Sequence, residues 1–340
     1  MSEPVLSVRD LRVWYGTELD PVRAVDGVSL EIAAGETLGL VGESGCGKST
    51  LGRALLALLP ESAAIAGEVA YRGRDLTGLD DRELRAIRGP EIGLIFQEPM
   101  TRLDPLMTIE DHFLEALRTH EPGLDEEAMR KRSLDTLAKL GIPQTRFRQH
   151  PHEFSGGMRQ RIMIALALVL EPSLVIADEP TTALDVIVEA QILGILADLR
   201  ENFDIALLLI THNLGIIAEA CDRVAVMYAG EIVEQGDAGE VFADPAHPYT
   251  RELLRSIVSL STTELHYIPG APPNLISPPR ACRFHPRCPN AMRVCATKHP
   301  IEVTTDGQRV SCWLHGPESE LPPGGEQPLE RGEIAIAEEA

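Results

Sequence analysis

The sequence has 340 residues, 44% hydrophobic and only 4% aromatic, with 52 Asp and Glu against 31 Lys and Arg for a formal charge of −21. At about 100–200 residues per domain this is one large domain or two modest ones, with ample chain to bury a core. So acidic a chain argues against non-specific nucleic-acid binding and a polybasic lipid-surface patch, both of which need clustered positive charge; any phosphate ligand must be held by local groups. The longest strictly apolar run, residues 162–170, is nine residues, far short of the roughly 20 that span a bilayer. The N-terminal Met1, Ser2, Glu3, Pro4 and Val5 lack a basic and an apolar leader region, so the chain is expected in the cytoplasm, where structural disulfides are disfavoured.

In chain order, residues 5–9, 25–32 and 68–71 have β-type content, and 36–41 is a short apolar run bounded by Gly35 and Gly42, as expected of a buried strand. Residues 49–59 predict a helix that Pro60 stops. Between strand and helix, Gly42, Glu43, Ser44, Gly45, Cys46, Gly47, Lys48, Ser49 and Thr50 fit the pattern G-x-x-x-x-G-K-[ST] in the context it requires. The glycines permit a nest of N–H groups for phosphate; Lys48 would neutralise β/γ-phosphate charge and Ser49 would ligate Mg²⁺. Phe96, Gln97, Glu98 and Pro99 lead into two predicted helices, 110–120 and 125–140, an insertion stopped at Gly141, Ile142 and Pro143.

Phe154, Ser155, Gly156 and Gly157 precede a predicted amphipathic helix with Met158, Ile162, Leu166 and Val169 on one stripe. Ser155 and Gly156 would form a second anion site at its N-terminus. One ATP cannot use two distant anion sites on a single chain, so a two-chain sandwich is implied. Residues 174–177 predict a strand ending in Asp178 and Glu179, placed to hold Mg²⁺ through water and to act as general base. A helix over 186–200, a strand over 206–210 followed by Thr211 and His212, and a hairpin, 224–228 with 231–234, complete a parallel α/β pattern.

Beyond residue 245, His247, Pro248, Tyr249 and Thr250 open a helix of about ten residues. Pro269, Gly270, Ala271, Pro272 and Pro273, with Pro278 and Pro279, mark a linker. Residues 317–340 hold seven Glu and one Arg and read as a disordered tail. Between these lie Cys282, Cys288, Cys295 and Cys312. Their spacing lacks the close Cys pairs usual for zinc, and four thiolates could hold an iron–sulfur cluster; zinc and free thiols stay open. His285, His299 and His315 read as surface residues or substitute ligands. Cys46 reads as a loop filler, with a redox switch as its alternative, and Cys221 as buried near a helix end.

Taken together, in this order and spacing, residues 5–245 resemble the ATP-binding cassette family. The resemblance implies an α/β P-loop NTPase core with an antiparallel β subdomain, a helical subdomain insertion and a small Cys-rich C-terminal extension. Its boundaries are 1–98 for the first core part, 99–160 for the helical subdomain with the signature, 161–245 for the second core part, 246–316 for the extension and 317–340 for the tail. It makes Gly42–Thr50 the Walker A loop, contacting ATP through Gly42, Ser44, Gly45, Cys46, Gly47, Lys48, Ser49 and Thr50. Gln97 becomes the Q-loop glutamine, on nucleotide and metal; Ser155, Gly156 and Gly157 the signature; Asp178 the Walker B acid; Glu179 the catalytic glutamate; His212 the switch histidine. Ala183, Leu184 and Asp185 look like the D-loop, and Tyr15, in preference to Trp14, like the aromatic that stacks on adenine. The signature starts with Phe154 and ends with Met158 rather than Leu and Gln, and Asn213 replaces the usual Asp.

The Cys282–Cys288 segment, Cys312-Trp313 and His247-Pro248-Tyr249 resemble the C-terminal extension of dipeptide/oligopeptide importer cassettes, which can carry a [4Fe–4S] cluster on such a quartet. The resemblance implies an ATPase at the cytoplasmic face of the membrane, working with a second homologous cassette chain, two membrane-spanning permeases and an extracytoplasmic peptide-binding protein. Importers of nickel, glutathione or another small solute are the alternative, and a soluble cassette ATPase acting on nucleic acid is disfavoured by the charge.

Overall fold

The computed structural model describes residues 4–17, 19–96, 102–181, 205–256 and 266–329, together with 189, 191, 192 and 194. Gln97, the D-loop residues 183–185, most of the helix expected over 186–200 and the last residues from 330 lie outside these.

Strands β1 (Leu6–Gly16), β2 (Pro21–Ile32), β4 (Ala64–Tyr71) and β5 (Arg74–Asp75) form an antiparallel sheet ordered β2-β1-β4-β5. The second sheet holds β3 (Thr37–Val41), β6 (Ile92–Ile95), β7 (Leu174–Asp178), β8 (Ala206–Ile210), β9 (Arg223–Tyr228), β10 (Glu231–Asp237), β11 (Glu302–Thr305) and β12 (Gln308–Ser311). Its order is β11-β12-β10-β9-β3-β8-β7-β6, parallel from β9 to β6 and antiparallel beyond. Every residue of β3, β7 and β8 is buried. Alternate side chains serve opposite faces. Leu38, Leu40, Ile176 and Leu208 join the core shared with the antiparallel sheet, while Val41, Val175, Leu207 and Leu209 join the core shared with the helices.

Helix α1 (Lys48–Ala54) starts inside the phosphate loop and is shorter than its sequence pattern suggests. Ala57 takes φ +50 and Leu58 N–H turns back to Arg53 O, closing the helix before Pro60. Helix α2 (Asp81–Ile87) starts at an Asp80–Glu83 capping box. The insertion is helical as expected: α3 (Ile109–His120) and α4 (Glu126–Lys139) start at the caps Thr108 and Asp125 and pack with α5 (Gly156–Leu168) around Phe113, Leu117 and Leu137.

The single apolar stripe expected on α5 is not what is found. Gln160, Met163, Ile164 and Ala165 are buried alongside Ile162, while Met158 and Leu166 are only partly so. The helix lies between the insertion and the core sheet and is covered from both sides, so no solvent-facing stripe exists. The boundary drawn at 160 therefore falls inside α5.

The C-terminal extension is continuous with the core. Strand β12 pairs with β10, Glu234 opposite Val310 and Gln235 opposite Arg309, so β11 and β12 extend the main sheet. The proline-rich stretch is docked as well: Arg23 N–H donates to Leu275 O at 2.9 Å. Residues 317–329, expected to be disordered, are ordered. Arg293 and Val294 N–H groups donate to Gln327 O and Gly325 O, and Leu321 packs on Val294, Cys295 and Trp313. Charge density had masked one apolar anchor and a set of backbone pairings. Among the described residues no helix is long and apolar enough to cross a membrane.

Candidate active site

The phosphate loop leaves β3 and enters α1 squeezed between two strands. A Cβ on Gly47 would lie 1.9 Å from Ala24 O of β2, and one on Gly42 would lie 2.1 Å from Met227 O of β9. Gly47 also takes φ +110, which side-chain-bearing residues avoid. Cys46 O accepts from Gly230 N–H at 2.9 Å, tying the loop to the β9–β10 turn. Burial pushes the Cys46 thiol above its ordinary range against the opposing pull of Lys48, so it fills the loop as a neutral thiol. Lys48 is buried, its Nζ donating to Gly42 O at 2.8 Å and Glu43 O at 3.0 Å. Its ammonium thus stands on the loop's own carbonyls.

Strand β7 delivers the acids. Ser49 Oγ donates to Asp178 Oδ1 at 2.8 Å, bringing together the two residues expected at Mg²⁺. Burial pushes the Asp178 carboxyl up, against the opposing pull of this hydrogen bond and of Arg53 and Lys48. Glu179 follows with φ +48 while its N–H continues the ladder to Ile210 O at 2.8 Å. A left-handed non-glycine residue at a strand's carboxyl end is strain of the kind found at functional sites. Beside it, at the end of β8, His212 Nδ1 stands 3.6 Å from Glu179 Oε1. Asn213 Oδ1 accepts from Gly215 N–H at 3.1 Å, capping the helix Leu214–Ala220, so Asn serves where Asp is usual.

Ser155 caps α5, its Oγ accepting from Met158 N–H at 3.4 Å. Ser155 and Gly156 are exposed. Buried Phe154 anchors them, its carbonyl accepting from Arg159 Nε at 3.0 Å. Along β1, Tyr15 shares a face with buried Leu11 and Val13 and packs on the core that holds Cys46 and Leu51. Trp14 alternates to the other face, under the Arg23 guanidinium.

Cys282, Cys288, Cys295 and Cys312 lie in one neighbourhood, Cys282 N–H donating to Cys295 O at 3.0 Å. Burial, with a smaller push from the neighbouring thiols, raises Cys282 well above its ordinary range, and burial raises Cys288 to about 12 and Cys312 to about 11. Among the described residues, however, no three His, Cys, Asp or Glu side chains converge so as to hold a metal ion. The expected cluster therefore finds no support in this geometry; Cys295 packs with Trp313 and Cys282, while Cys312 packs apart from them with Val310. His285 is buried rather than on the surface, its Nδ1 paired with Cys282 O at 2.7 Å. Cys221 is half-buried at the end of Leu214–Ala220.

Two residues at the site escaped sequence reading. Tyr249 Oη accepts from Glu43 N–H at 2.9 Å, and the Arg287 guanidinium grips both Glu43 carboxylate oxygens, at 2.6 and 3.0 Å. They lie 206 and 244 positions from Glu43, and no local spacing announces such pairs.

A family model described as ABC transporter matches residues 25–182, and one described as oligopeptide/dipeptide transporter, C-terminal region, matches 233–295. The chain is 47% identical over 325 residues to the dipeptide transport ATP-binding protein DppD of Bacillus subtilis, covering 94% of this chain and 97% of that one. It is 45% identical over 313 residues to the oligopeptide transport ATP-binding protein OppD of Salmonella typhimurium, covering 91% and 93%. Among solved structures it is similar to the ATP-binding cassette MJ0796, in a dimeric post-hydrolysis state bound to ADP and Pi, with TM-score 0.62 and 28% identity over 68% of this chain and 98% of that one.

Proposed function

The chain belongs to the ABC transporter family, and from that premise we infer that it is the ATP-hydrolysing subunit of an importer that powers uptake of dipeptides or oligopeptides across a membrane. The observation that carries this is the convergence of Lys48, Ser49, Asp178, Glu179 and His212 at the carboxyl ends of three adjacent parallel strands, in a chain whose C-terminal region matches the peptide-transporter model.

On ATP binding, Lys48 exchanges the Gly42 and Glu43 carbonyls for β/γ-phosphate oxygens, and the loop N–H groups from Ser44 to Thr50 cradle the phosphates. Ser49 and Asp178, with Gln97, would hold Mg²⁺, which supplies charge neutralisation on the β- and γ-phosphates. Glu179 accepts the proton of the water whose oxygen attacks the γ-phosphorus as the bond to the β,γ-bridging oxygen breaks. His212 orients Glu179 and the γ-phosphate. Tyr15 stacks on adenine.

The exposed signature, Ser155, Gly156 and Gly157, serves the ATP of a second, homologous cassette chain, so the pair closes head to tail around two nucleotides. Hydrolysis releases the pair, and Gln97 with the helical insertion passes the motion to two permeases at the cytoplasmic face, supplied by an extracytoplasmic peptide-binding protein. The C-terminal match favours peptide over nickel or glutathione, and the net charge opposes nucleic acid as a partner.

The test is Glu179→Gln in the assembled transporter. It should bind ATP with native affinity and lose turnover by about 10² or more; undiminished phosphate release would overturn the assignment. A [4Fe–4S] cluster on Cys282, Cys288, Cys295 and Cys312 is a separate reading that rests on the resemblance of this segment to cluster-bearing extensions and not on the geometry. Anaerobic purification with iron and acid-labile sulfide analysis decides it, and one equivalent of zinc without iron rejects it.

A further inference from the structure

Glu43 places a carboxylate inside a loop whose task is to bind a triphosphate. Such a charge opposes the ligand unless it is neutralised. All the polar groups of Glu43 are committed: its carbonyl accepts from Lys48, its N–H donates to Tyr249 Oη, and its carboxylate takes both Nη atoms of Arg287. Arg287 is itself fixed. Its Nε donates to Pro269 O at 3.0 Å, Nη2 to Ile268 O at 3.3 Å and Nη1 to Tyr228 Oη at 3.3 Å. Phe284 packs edge-on against Tyr228 and Tyr249, with ring centroids 5.2 and 5.3 Å away, and the two tyrosine rings stand 4.6 Å apart. Arg283 pegs the same segment to Ala229 O, Asp26 and Glu231.

From this we propose that Arg287, in the Cys282–Cys288 segment, is a positioning residue for ATP: its guanidinium, held against Glu43, cancels that carboxylate's charge beside the phosphate loop, so that the C-terminal extension sets nucleotide affinity. The proposal rests on ATP occupying this loop, the reading given above. Bidentate pairing fixes the Glu43 carboxylate in direction as well as in charge, which a single-point ammonium would not do.

The experiment measures the Kd for MgATP on the purified full-length chain, native and as Arg287→Met, Glu43→Gln and the double variant, alongside thermal melts. Methionine keeps the apolar stem of Arg287 and removes the charge. Arg287→Met should weaken ATP binding about tenfold through the uncancelled like charge. Glu43→Gln removes the same like charge, so adding it to Arg287→Met should recover most of the lost affinity. A structural role alone would lower the melting temperature and show no such rescue. Native affinity in Arg287→Met, or a double variant as weak as Arg287→Met, overturns the proposal. Should Arg287→Met not fold, equal affinity of Glu43→Gln and the double variant is the prediction that remains, and unequal affinity overturns it. Failure of the native chain to bind MgATP would instead sink the ATPase reading, so the two failures are distinct.

Discussion

At Gly47 the backbone passes so close to β2 that a methyl group would sit 1.9 Å from Ala24 O, while a Cβ on Gly45 would meet nothing within 4 Å. Both residues have positive φ, but only one has a wall beside it. Gly45→Ala should carry the roughly 1–2 kcal/mol of a left-handed L-residue and keep measurable ATP binding. Gly47→Ala must push β2 or the loop aside and should lose binding by about 100-fold or more, read by titration of MgATP into each variant. Equal losses in the two would show that conformation, not space, governs the loop. The residues of this site were legible in the sequence because their chemistry is local: the loop spacing, the acids ending an apolar run, a histidine after another. The Arg287–Glu43 pair was not, since a contact across 244 positions exists only once the sheet has brought both ends together.

Elements show the same division. Strands β3, β7 and β8 read cleanly because continuous apolar runs bounded by glycine or acid have few alternatives. Helix α5 misled because its pattern records one neighbour and the structure supplies two. Strands β11 and β12 are four residues each, with β11 at the sheet's edge, and their clearest signal, Asp306-Gly307 with φ of +48 and +80, is a two-residue hairpin turn obscured by the surrounding cysteines. The helix Pro248–Arg255 adds a titrating cap: His247 Nδ1 accepts from Tyr249 N–H at 3.0 Å, which requires a neutral ring. Burial, with smaller contributions from His315 and Arg251, pushes His247 down to about 3. The folded-state value lies below the unfolded one near 6.5, so this contribution is present above pH 6.5 and lost as pH falls toward 3. Between pH 6 and 4 it should steepen acid destabilisation by on the order of 1 kcal/mol per pH unit. His247→Asn keeps a capping acceptor without that proton, and urea titrations at several pH values should show its slope shallower by that amount. Parallel slopes would mean that His247 titrates normally in the fold.

Across the whole molecule, the boundary at 246 separates sequence compositions, but sheet pairing and ion pairs cross it. Beyond it lie two strands of the main sheet, the Arg287 grip on the phosphate loop and the Arg283 contacts to Asp26 and Glu231. A module so attached should unfold with the core, because releasing it exposes β10 and strands buried charge on both sides. The chain offers a direct reading, with two tryptophans, one on each side of the boundary. Trp14 lies in β1 against Arg23, and Trp313 is buried beside Val294 and Cys295 with its Nε1 donating to Lys298 O at 2.9 Å. In Trp14→Phe, fluorescence reports only the extension; in Trp313→Phe, only the antiparallel sheet. Trp313→Phe gives up one hydrogen bond and some packing, so its midpoint should fall by about 1–2 kcal/mol of stability. Within each variant, however, the fluorescence transition in urea should coincide with that of far-UV circular dichroism. An earlier transition for Trp313 alone, with the core signal intact, would make the extension an independent appendage and would leave Arg287 without a rigid base from which to act on the nucleotide.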